Sequence, residues 1–433
     1  MNGAHCLSQW GYDFRPAYLR IAEIRTSFPA VPLLALTATA TPQVMKDIQA
    51  KLGFTNQQVF QQSFVRPNLG YRVQRTDDKR QALLRLLRQT KGTAIVYTRN
   101  RLRTEEIAQR LQAEGLPADY FHAGLPWAQK VHKQNQWTKE EGRIMVATNA
   151  FGMGIDKPDV RLVVHLDAPG SLEEYFQEAG RAGRDGKPAE AIALYSPIDK
   201  ARLERQLIDR FPPRVFICGV YEQLGDFLEL PVGAGEDRTF DFSFTQFCQT
   251  YALSPSPTYH ALKLLMRGGY LEFEEGPAQP PELPMALRRY RREEPVSICF
   301  NTPRLPAKQI VIPKEIYEQR QIRLTEQAEA VIRYMEEPTA CRSQLLLRYF
   351  GESHTRRCGQ CDHCNPPSEA DLTEAEFQQL RTTLRTLTEH VPQSVYHLLD
   401  RLPFDRERSL QAIRFLADED PHFQLDAGFL SYT

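Results

Sequence analysis

The stretch Arg143-Ile-Met-Val-Ala147-Thr-Asn-Ala-Phe-Gly152 is a β-type apolar run that leads directly into a polar turn. On either side of it, four further short runs predict strands, at 93–97, 118–121, 162–165 and 190–195. Helical patterns separate these runs, at 81–88, at 104–114 before Gly115, and from Ser171 onward. Strands that alternate with helices indicate a parallel sheet with right-handed crossovers. The fold class predicted for this part of the chain is therefore α/β.

Upstream of this region, Val31-Pro-Leu-Leu-Ala-Leu36 predicts a buried strand that ends in the polar turn Thr37-Ala-Thr-Ala-Thr41. Pro42 suits the first position of a helix, with Thr41 as its N-cap, and the helix is expected to reach about Leu52. This segment therefore predicts one strand followed by one helix.

The pattern changes after residue 200. Two short helices are predicted between 242 and 273, joined by Leu253-Ser-Pro-Ser-Pro257, and Gly268-Gly269 ends the second before a β-type run. This order predicts a winged helix-turn-helix. The proline-rich segment 276–284 predicts a linker, and a helical stretch is expected over 316–348.

Composition sets outer limits on the class of protein. The 433 residues suggest two to four domains, because single cores rarely grow past ~250–300 residues. Lysine plus arginine balance aspartate plus glutamate at 54 each, so net charge neither favours nor excludes a nucleic-acid partner. No apolar run approaches the ~20 residues of a membrane-spanning helix, and the N-terminus lacks a secretory pattern. A cytoplasmic protein with no membrane partner is expected.

Four cysteines form a metal-ligand pattern. Cys341 is followed by sixteen residues and then by Cys358-x-x-Cys361-x-x-Cys364. Four thiolates suit tetrahedral Zn²⁺, and in a cytoplasmic chain such a cluster favours a metal over disulfides. The alternatives are four reduced thiols that happen to be close, a redox pair, and His363 as a substitute ligand. Because all four ligands come from the protein, the predicted Zn²⁺ site is structural.

Two stretches have the composition of sites for charged ligands. In the first, after the strand at 143–147, Gly152 and Gly154 permit close backbone approach, and Asp156 can bind a ribose hydroxyl or orient an arginine. In the second, Arg181 and Arg184 are three positions apart and are expected on one helical face. The alternatives are an ordinary turn and a solvated surface pair. Small residues between the arginines favour close packing of another domain, where arginines stabilise transition-state charge in motor ATPases.

These motifs together resemble the RecQ family of DNA helicases. His5 to Pro16 resembles the family's stretch from the DEAH box into an aromatic-rich loop, and Leu36 to Thr41 its motif III. Residues 64–69 resemble the segment that joins the family's two motor domains. Residues 148–161 resemble its motif V, and residues 175–186 resemble its motif VI. The four cysteines match the family's zinc spacing. The resemblance covers about residues 1–200 densely and 341–364 clearly.

The resemblance implies a 3′→5′ DNA helicase of recombination and repair, with ATP and Mg²⁺ bound between two RecA-like domains. Arg181 and Arg184 resemble its arginine-finger pair, and Gln177 its nucleotide sensor, which makes these three the expected catalytic residues. Gly154 and Asp156, with the two arginines, are the expected nucleotide-binding residues. The implied fold is a RecA-like parallel sheet of the P-loop NTPase type, followed by a winged helix-turn-helix and a small helical four-cysteine zinc-binding domain.

The resemblance also implies single-stranded and duplex DNA as partners, and a bacterial-type, nucleoid-associated protein in the cytoplasm. Trp10, Phe14, Arg15 and Thr148 are the expected DNA-binding residues, since aromatic rings stack on bases and arginine pairs with phosphate. Core packing is the alternative role for Trp10 and Phe14.

The resemblance implies five domains, whose bounds follow the motifs and the changes of pattern. They are a remnant of the first RecA-like domain (1–68), the second RecA-like domain (69–200), a winged-helix-like domain (201–284), a helical zinc-binding domain (285–367) and a small C-terminal helical domain (368–433). The winged helix therefore precedes the zinc cysteines, whereas in the family it commonly follows them.

The chain departs from the family at two catalytic motifs. Asn2-Gly3-Ala4-His5 stands where the family has DEAH, and no Gly-x-x-x-x-Gly-Lys-Ser/Thr occurs in the sequence. Two hypotheses follow. The first is a helicase whose chain is truncated within the first motor domain, so that hydrolysis of ATP is not expected from this chain alone. The second is a non-hydrolysing DNA-binding module that uses the winged helix and the zinc region. The first is favoured, because the loss of both motifs together is typical of truncation.

Overall fold

The computed structural model describes residues 3–4, 6–9, 22–23, 28, 31–54, 58–152, 155–274, 296–353, 356–365, 374–389, 391–404, 406–426 and 428–432. The chain divides into two compact units, residues 1–356 and 357–433. Among the helices that lie in these described ranges, none is long and apolar enough to cross a membrane.

Two helices form a small cluster at the start of the first unit. Helix α1 (Cys6–Gln9) lies against helix α2 (Pro42–Lys51), and the buried side chains between them include Leu7 and Ile48. Helix α2 begins as predicted, with Pro42 in its first turn and the Thr41 hydroxyl accepting a hydrogen bond from the backbone N–H of Val44.

The predicted buried strand at 31–36 is wrong. The described residues there form no strand beyond a single bridge position, and Val31, Leu34 and Leu36 are each at least half exposed. A strand is stable only when neighbouring strands complete its ladder, and here the backbone carbonyl of Leu36 accepts one hydrogen bond, from Ala4. The apolar pattern therefore predicted a strand that this chain does not form.

A parallel sheet of six strands organises residues 69–195 and confirms the α/β fold class. The strands are β1 (Leu69–Arg75), β2 (Thr93–Tyr97), β3 (Ala118–Phe121), β4 (Ile144–Ala147), β5 (Val160–His165) and β6 (Ala189–Tyr195). Their order across the sheet is β1-β6-β5-β2-β4-β3. The five predicted strands all form within two residues of their expected bounds, and β1 is the strand that the sequence patterns did not predict.

Four helices cover the two faces of this sheet. They are α3 (Lys79–Gln89), α4 (Arg101–Ala113), α5 (Trp127–Lys139) and α6 (Leu172–Ala179). All five residues of β2 are buried, which is typical of a parallel sheet with both faces covered. Successive residues of β2 pack into different cores, Ile95 and Tyr97 on one face and Ala94 and Val96 on the other.

A second core within this unit has the order of a winged helix-turn-helix, as predicted. Its helices are α7 (Pro197–Arg210), α8 (Arg214–Phe227), α9 (Phe244–Thr250) and α10 (Pro255–Arg267). Strands β7 (Thr239–Phe242), β8 (Leu271–Glu274) and β9 (Val296–Phe300) form an antiparallel sheet in the order β7-β9-β8. The predicted boundary at residue 284 therefore falls between two strands of one sheet. The predicted linker at 276–284 lies outside the described residues.

The expected helical stretch at 316–348 forms two helices, α11 (Glu318–Glu336) and α12 (Arg342–Tyr349). Val331 and Met335 of α11, with Leu346 of α12 and Phe350 just after it, belong to the same core as the parallel sheet. The helices that precede the cysteine triplet thus pack on the parallel sheet rather than around a separate core.

The second unit is not purely helical, so the prediction for residues 368–433 is wrong in that respect. Helices α13 (Glu374–Thr388), α14 (Val395–Arg401) and α15 (Arg406–Glu419) pack with a three-stranded antiparallel sheet. Its strands are β10 (Gln393–Ser394), β11 (Phe423–Asp426) and β12 (Phe429–Tyr432), in the order β10-β12-β11. Strands of two to four residues give too short an alternation to be distinguished from loops in the sequence.

Candidate functional site

The two predicted arginines lie in a loop that follows α6, and this loop, residues 180–187, is called the arginine loop below. Helix α6 ends at Ala179, and residues 180–185 form consecutive turns. The expectation that Arg181 and Arg184 share one helical face is therefore wrong. The glycines among the small residues end the helix, because glycine stabilises helices poorly and accepts turn conformations.

The segment before β1 holds the arginine loop through its backbone. The Arg66 guanidinium donates three hydrogen bonds, of 3.1, 2.9 and 3.2 Å, to carbonyl oxygens within residues 180–183. The Asn68 side chain donates to the carbonyls of Gly183, at 2.7 Å, and Lys187, at 2.9 Å. Gly183 has φ +63°, and a Cβ there would lie 2.5 Å from the Asn68 amide nitrogen. Glycine is therefore required at this position by both conformation and space.

Arg181 is buried at the carboxyl edge of the sheet, with 9% of its surface exposed. A Cβ on Gly152 would lie 3.3 Å from an Arg181 guanidinium nitrogen and 2.8 Å from the carbonyl oxygen of Asn149. The close approach predicted at Gly152 is thus made by the Arg181 side chain. Within the described residues, the Arg181 Nε has no hydrogen-bond partner. A buried cation with an unsatisfied donor is suited to a negatively charged ligand.

Arg184 pairs with Asp156, so of the two predicted partners of that aspartate, a ribose hydroxyl and an arginine, the structure shows the arginine. The Nη1–Oδ1 distance is 2.7 Å, and the same nitrogen donates to the carbonyl oxygen of Ile155 at 2.9 Å. The Arg184 side chain is 35% exposed and that of Asp156 is 83% exposed, so the pair stabilises the fold little. Its geometry does hold a cation near the surface of the arginine loop.

Gln177 connects the two motif-bearing parts of the first unit. Its side-chain amide donates a short hydrogen bond to the hydroxyl of Thr39, which is buried and lies in the stretch that resembles motif III. The structure therefore brings together residues that are 138 positions apart.

A buried histidine–glutamate pair adjoins the same edge, and the sequence analysis did not identify it. His165 ends β5, and its Nε2 lies 2.9 Å from an oxygen of Glu178 on α6. Burial lowers the pKa of His165 to about 3 and raises the pKa of Glu178 well above its usual range. The His165 side chain is therefore neutral near pH 7, and the same burial favours the protonated form of Glu178. A titratable residue at the end of an apolar run such as Leu162-Val-Val-His165 was the available signal.

This pair lines a cleft of about 130 Å³ at the carboxyl ends of β2, β4 and β5. In open α/β sheets, ligands bind outside the carboxyl ends of the strands. The cleft is lined by Tyr97, Thr98, Arg99, Thr148, Asn149, His165, Asp167, Pro169, Glu174 and Glu178.

Of the predicted DNA-binding residues, Thr148 belongs to this cleft and is 7% exposed. Its backbone N–H donates to the carbonyl of Phe121, the last residue of β3, at 3.1 Å. Trp10, Phe14 and Arg15 lie outside the described residues, as does Gly154 of the predicted nucleotide-binding set.

The four predicted metal ligands lie together. The sulfur atoms of Cys341, Cys358, Cys361 and Cys364 all lie within 4.8 Å of one another, and Cys341 and Cys361 are buried. Sulfur atoms that bind one zinc ion tetrahedrally at ~2.3 Å are about 3.8 Å apart. The donor set and its spacing therefore fit Zn²⁺ in a structural site.

Groups around the cysteines support thiolate ligands. Gly359 has φ +75°, which lets the chain turn sharply between the first two cysteines of the triplet. Arg357 donates from Nε to the sulfur of Cys364 at 3.4 Å and from Nη2 to the carbonyl of His363 at 2.8 Å. A cation that donates to a ligand sulfur favours its thiolate form and orients the ligand. The predicted four-cysteine set is the one that the structure assembles.

Comparison with protein families gives two matches. Residues 78–186 match the helicase conserved C-terminal domain, and residues 307–365 match the RecQ zinc-binding family. The first region contains strands β2 to β5 of the parallel sheet, the cleft and most of the arginine loop. The second contains the four cysteines.

Individual relatives show the same similarity. The chain is 41% identical over 232 residues to the ATP-dependent DNA helicase RecQ of Pasteurella multocida, covering 53% of this chain and 37% of the relative. It is 45% identical over 210 residues to the RecQ-like DNA helicase BLM of Xenopus laevis, covering 47% of this chain and 15% of the relative. Among solved structures, S. cerevisiae Dbp5 bound to RNA and ADP BeF3 matches with a TM-score of 0.40 and 21% identity, covering 47% of this chain and 55% of Dbp5. The chain thus spans less than two fifths of each of these two RecQ relatives.

Proposed function

We propose that this chain, which belongs to the RecQ family of helicases, supplies the second motor half, a winged helix and a zinc module of an ATP-dependent 3′→5′ DNA helicase. The observation that carries the proposal is the position of the arginine loop. Arg181 is buried at the carboxyl edge of the sheet, where it approaches Gly152, and the segment preceding β1 fixes the loop around it. This arrangement suits a cation that acts on a phosphate held against the edge.

In this proposal ATP, with Mg²⁺, binds between this sheet and a first motor half. Arg181 and Arg184 stabilise the negative charge that develops on the transferred phosphoryl group, an effect worth roughly 10³–10⁵ in rate for arginine fingers. Arg184 exchanges its surface partner Asp156 for the phosphate, at little cost because that pair is exposed. Gln177, bonded to Thr39, reports the nucleotide state to the segment that resembles motif III.

The remaining parts of the chain have binding roles in this proposal. Thr148 and the loops beside it contact single-stranded DNA, and the winged helix contacts duplex DNA. Zn²⁺, held by the four cysteines, stabilises the fold and takes no part in the reaction. The protein acts in DNA recombination and repair, in the cytoplasm and with the nucleoid.

The test measures ATP hydrolysis stimulated by single-stranded DNA, using this chain with a first motor half of a bacterial relative supplied as a separate protein. Turnover that needs both proteins, and that falls by at least 10³-fold in Arg181→Ala or Arg184→Ala, supports the proposal. Arg205→Ala is the matched control, because Arg205 lies on α7 in a surface ion pair with Asp209. DNA binding without turnover in any combination supports instead a non-hydrolysing DNA-binding module.

A further inference from the structure

A largely exposed tryptophan lies at the same edge of the sheet as the cleft. Trp127 is the first residue of α5 and has 79% of its surface exposed, whereas Trp137 on the same helix is fully buried. Tryptophan is highly buried on average, and a ligand that covered the Trp127 ring would gain the stabilisation of burying it.

The loops that follow β2, β3 and β4 lie side by side. The backbone N–H of Thr148, which follows β4, donates to the carbonyl oxygen of Phe121 at the end of β3. The backbone N–H of Thr98, which follows β2, donates to the carbonyl oxygen of Ala147 at the end of β4. Trp127 follows Phe121 by only a five-residue loop. The tryptophan therefore lies on the same carboxyl edge of the sheet as Thr148, the residue expected to contact DNA.

Two cations flank the loop that leads to Trp127. A Cβ on Gly124 would lie 3.4 Å from a guanidinium nitrogen of Arg101, and the ammonium of Lys130 donates to the carbonyl of Ala123 at 2.6 Å. The nearby carboxylate of Glu105 is buried and bonded to His122 at 2.8 Å, which removes it from the surface that a polyanion would meet. An exposed ring beside cations is the chemistry that binds single-stranded nucleic acid, through base stacking and phosphate contacts.

The exposed apolar surface around Trp127 is too small for a protein partner. Val131, one turn further along α5, is 38% exposed, and no larger apolar side chain on this helix is exposed besides Trp127. Protein-binding patches are larger and contiguous. A single ring between polar groups fits a single base.

We propose that Trp127 is a stacking platform for one base of single-stranded DNA, with Arg101 contacting the adjoining phosphate. This inference rests on the proposed function, because it assumes that the edge of the sheet binds DNA. It adds a contact that neither the cleft nor the arginine loop provides.

The test is a titration of the full chain with a fluorescently labelled oligothymidylate of fifteen nucleotides, followed by anisotropy. Trp127→Ala is expected to weaken binding by about 5- to 150-fold, and Trp127→Phe by much less, because phenylalanine retains a stacking face. Neither substitution changes the salt dependence, since no charge is lost, whereas Arg101→Ala lowers the slope of log K against log salt by about 0.7. Val131→Ala is the control for a change on α5 that removes no aromatic ring.

A second oligonucleotide, with abasic sites throughout, separates stacking from other effects. The wild-type chain and Trp127→Ala are expected to bind it equally, because it has no base to stack. Equal binding of oligothymidylate by both proteins would overturn the inference and leave the proposed function intact. Failure of the wild-type chain to bind any oligonucleotide would overturn both. Thermal unfolding of each variant confirms that folding is unchanged, as expected for an exposed side chain.

Discussion

Replacing Arg66 with alanine removes the three hydrogen bonds that attach the arginine loop to the segment before β1. Hydrogen bonds from charged donors contribute about 1.5–3 kcal/mol each when well buried. Because Arg66 is only partly buried, water replaces some of this loss, and about 1 kcal/mol for each bond is expected. The local opening of residues 180–187 should therefore become easier by about 2–4 kcal/mol in Arg66→Ala.

Hydrogen exchange of the intact chain, read by mass spectrometry, measures this opening directly. Amides of the arginine loop donate to backbone carbonyls, for example Gly183 to Val160 at 2.9 Å, so they are protected in the wild type. Their exchange in Arg66→Ala should accelerate by about 30- to 700-fold, at tenfold for each 1.4 kcal/mol. Peptides from β2, within the same sheet, should exchange as in the wild type.

Two variants control for the charge and for the position of the arginine. Arg66→Lys keeps the cation but cannot reach three carbonyls at once, so it should recover less than half of the protection. Arg72→Ala removes a partly exposed ion pair with Glu190, at 2.9 Å on neighbouring strands, and should leave the loop unchanged. Unchanged exchange over 180–187 in Arg66→Ala, or equal acceleration in β2, would refute the assigned role of Arg66.

Three further results are expected. Burial holds the pKa of His165 at about 3, whereas in the unfolded chain this side chain takes up a proton as the pH falls below about 6.5. The unfolding free energy of the wild type, relative to that of His165→Asn, should therefore fall by up to about 1.4 kcal/mol for each pH unit from 6.5 to 5. Urea titrations at several pH values measure this difference, and parallel curves for the two proteins would contradict the prediction. Metal analysis of the purified chain should find one Zn²⁺ that is lost in Cys358→Ser and kept in Cys299→Ser; equal metal content in both variants would exclude the four-cysteine site. Gly183→Ala, at φ +63° and with no room for a Cβ, should lower the unfolding free energy by about 2–3 kcal/mol. Gly186→Ala, at φ +78° in open space, should lower it by about 1 kcal/mol. Similar losses in the two variants would show that the close contact at Gly183 contributes nothing.

Local patterns in the sequence were sufficient for most of the parallel sheet. Five of its six strands are apolar runs bounded by turn residues, such as Thr93–Tyr97, and their burial on both faces makes the run itself the signal. The zinc ligands were equally accessible, because the close triplet from Cys358 to Cys364 limits how its loop can fold.

Features that depend on distant partners were not predictable in this way. The apolar run at 31–36 has the composition of a strand but forms none in the described residues, since strand formation depends on neighbours. Strand β9 follows β8 only after 21 intervening positions, so its pairing with β7 is not visible in any local window. The opposite pKa shifts of His165 and Glu178 result from burial, which the sequence does not report.

The strand order of the parallel sheet also governs how the chain folds as it is synthesised. In the part of the chain that the structure describes, β1 pairs with β6 alone, and the partner of Leu69 is Ala189, 120 positions further along. Translation of that interval takes roughly 6–24 s at ~5–20 residues per second. Throughout that time β1 has no partner strand in the nascent chain, and unpaired strands favour self-association. The central strands can pair as they are translated, whereas the six-stranded sheet is complete only after β6 has been synthesised.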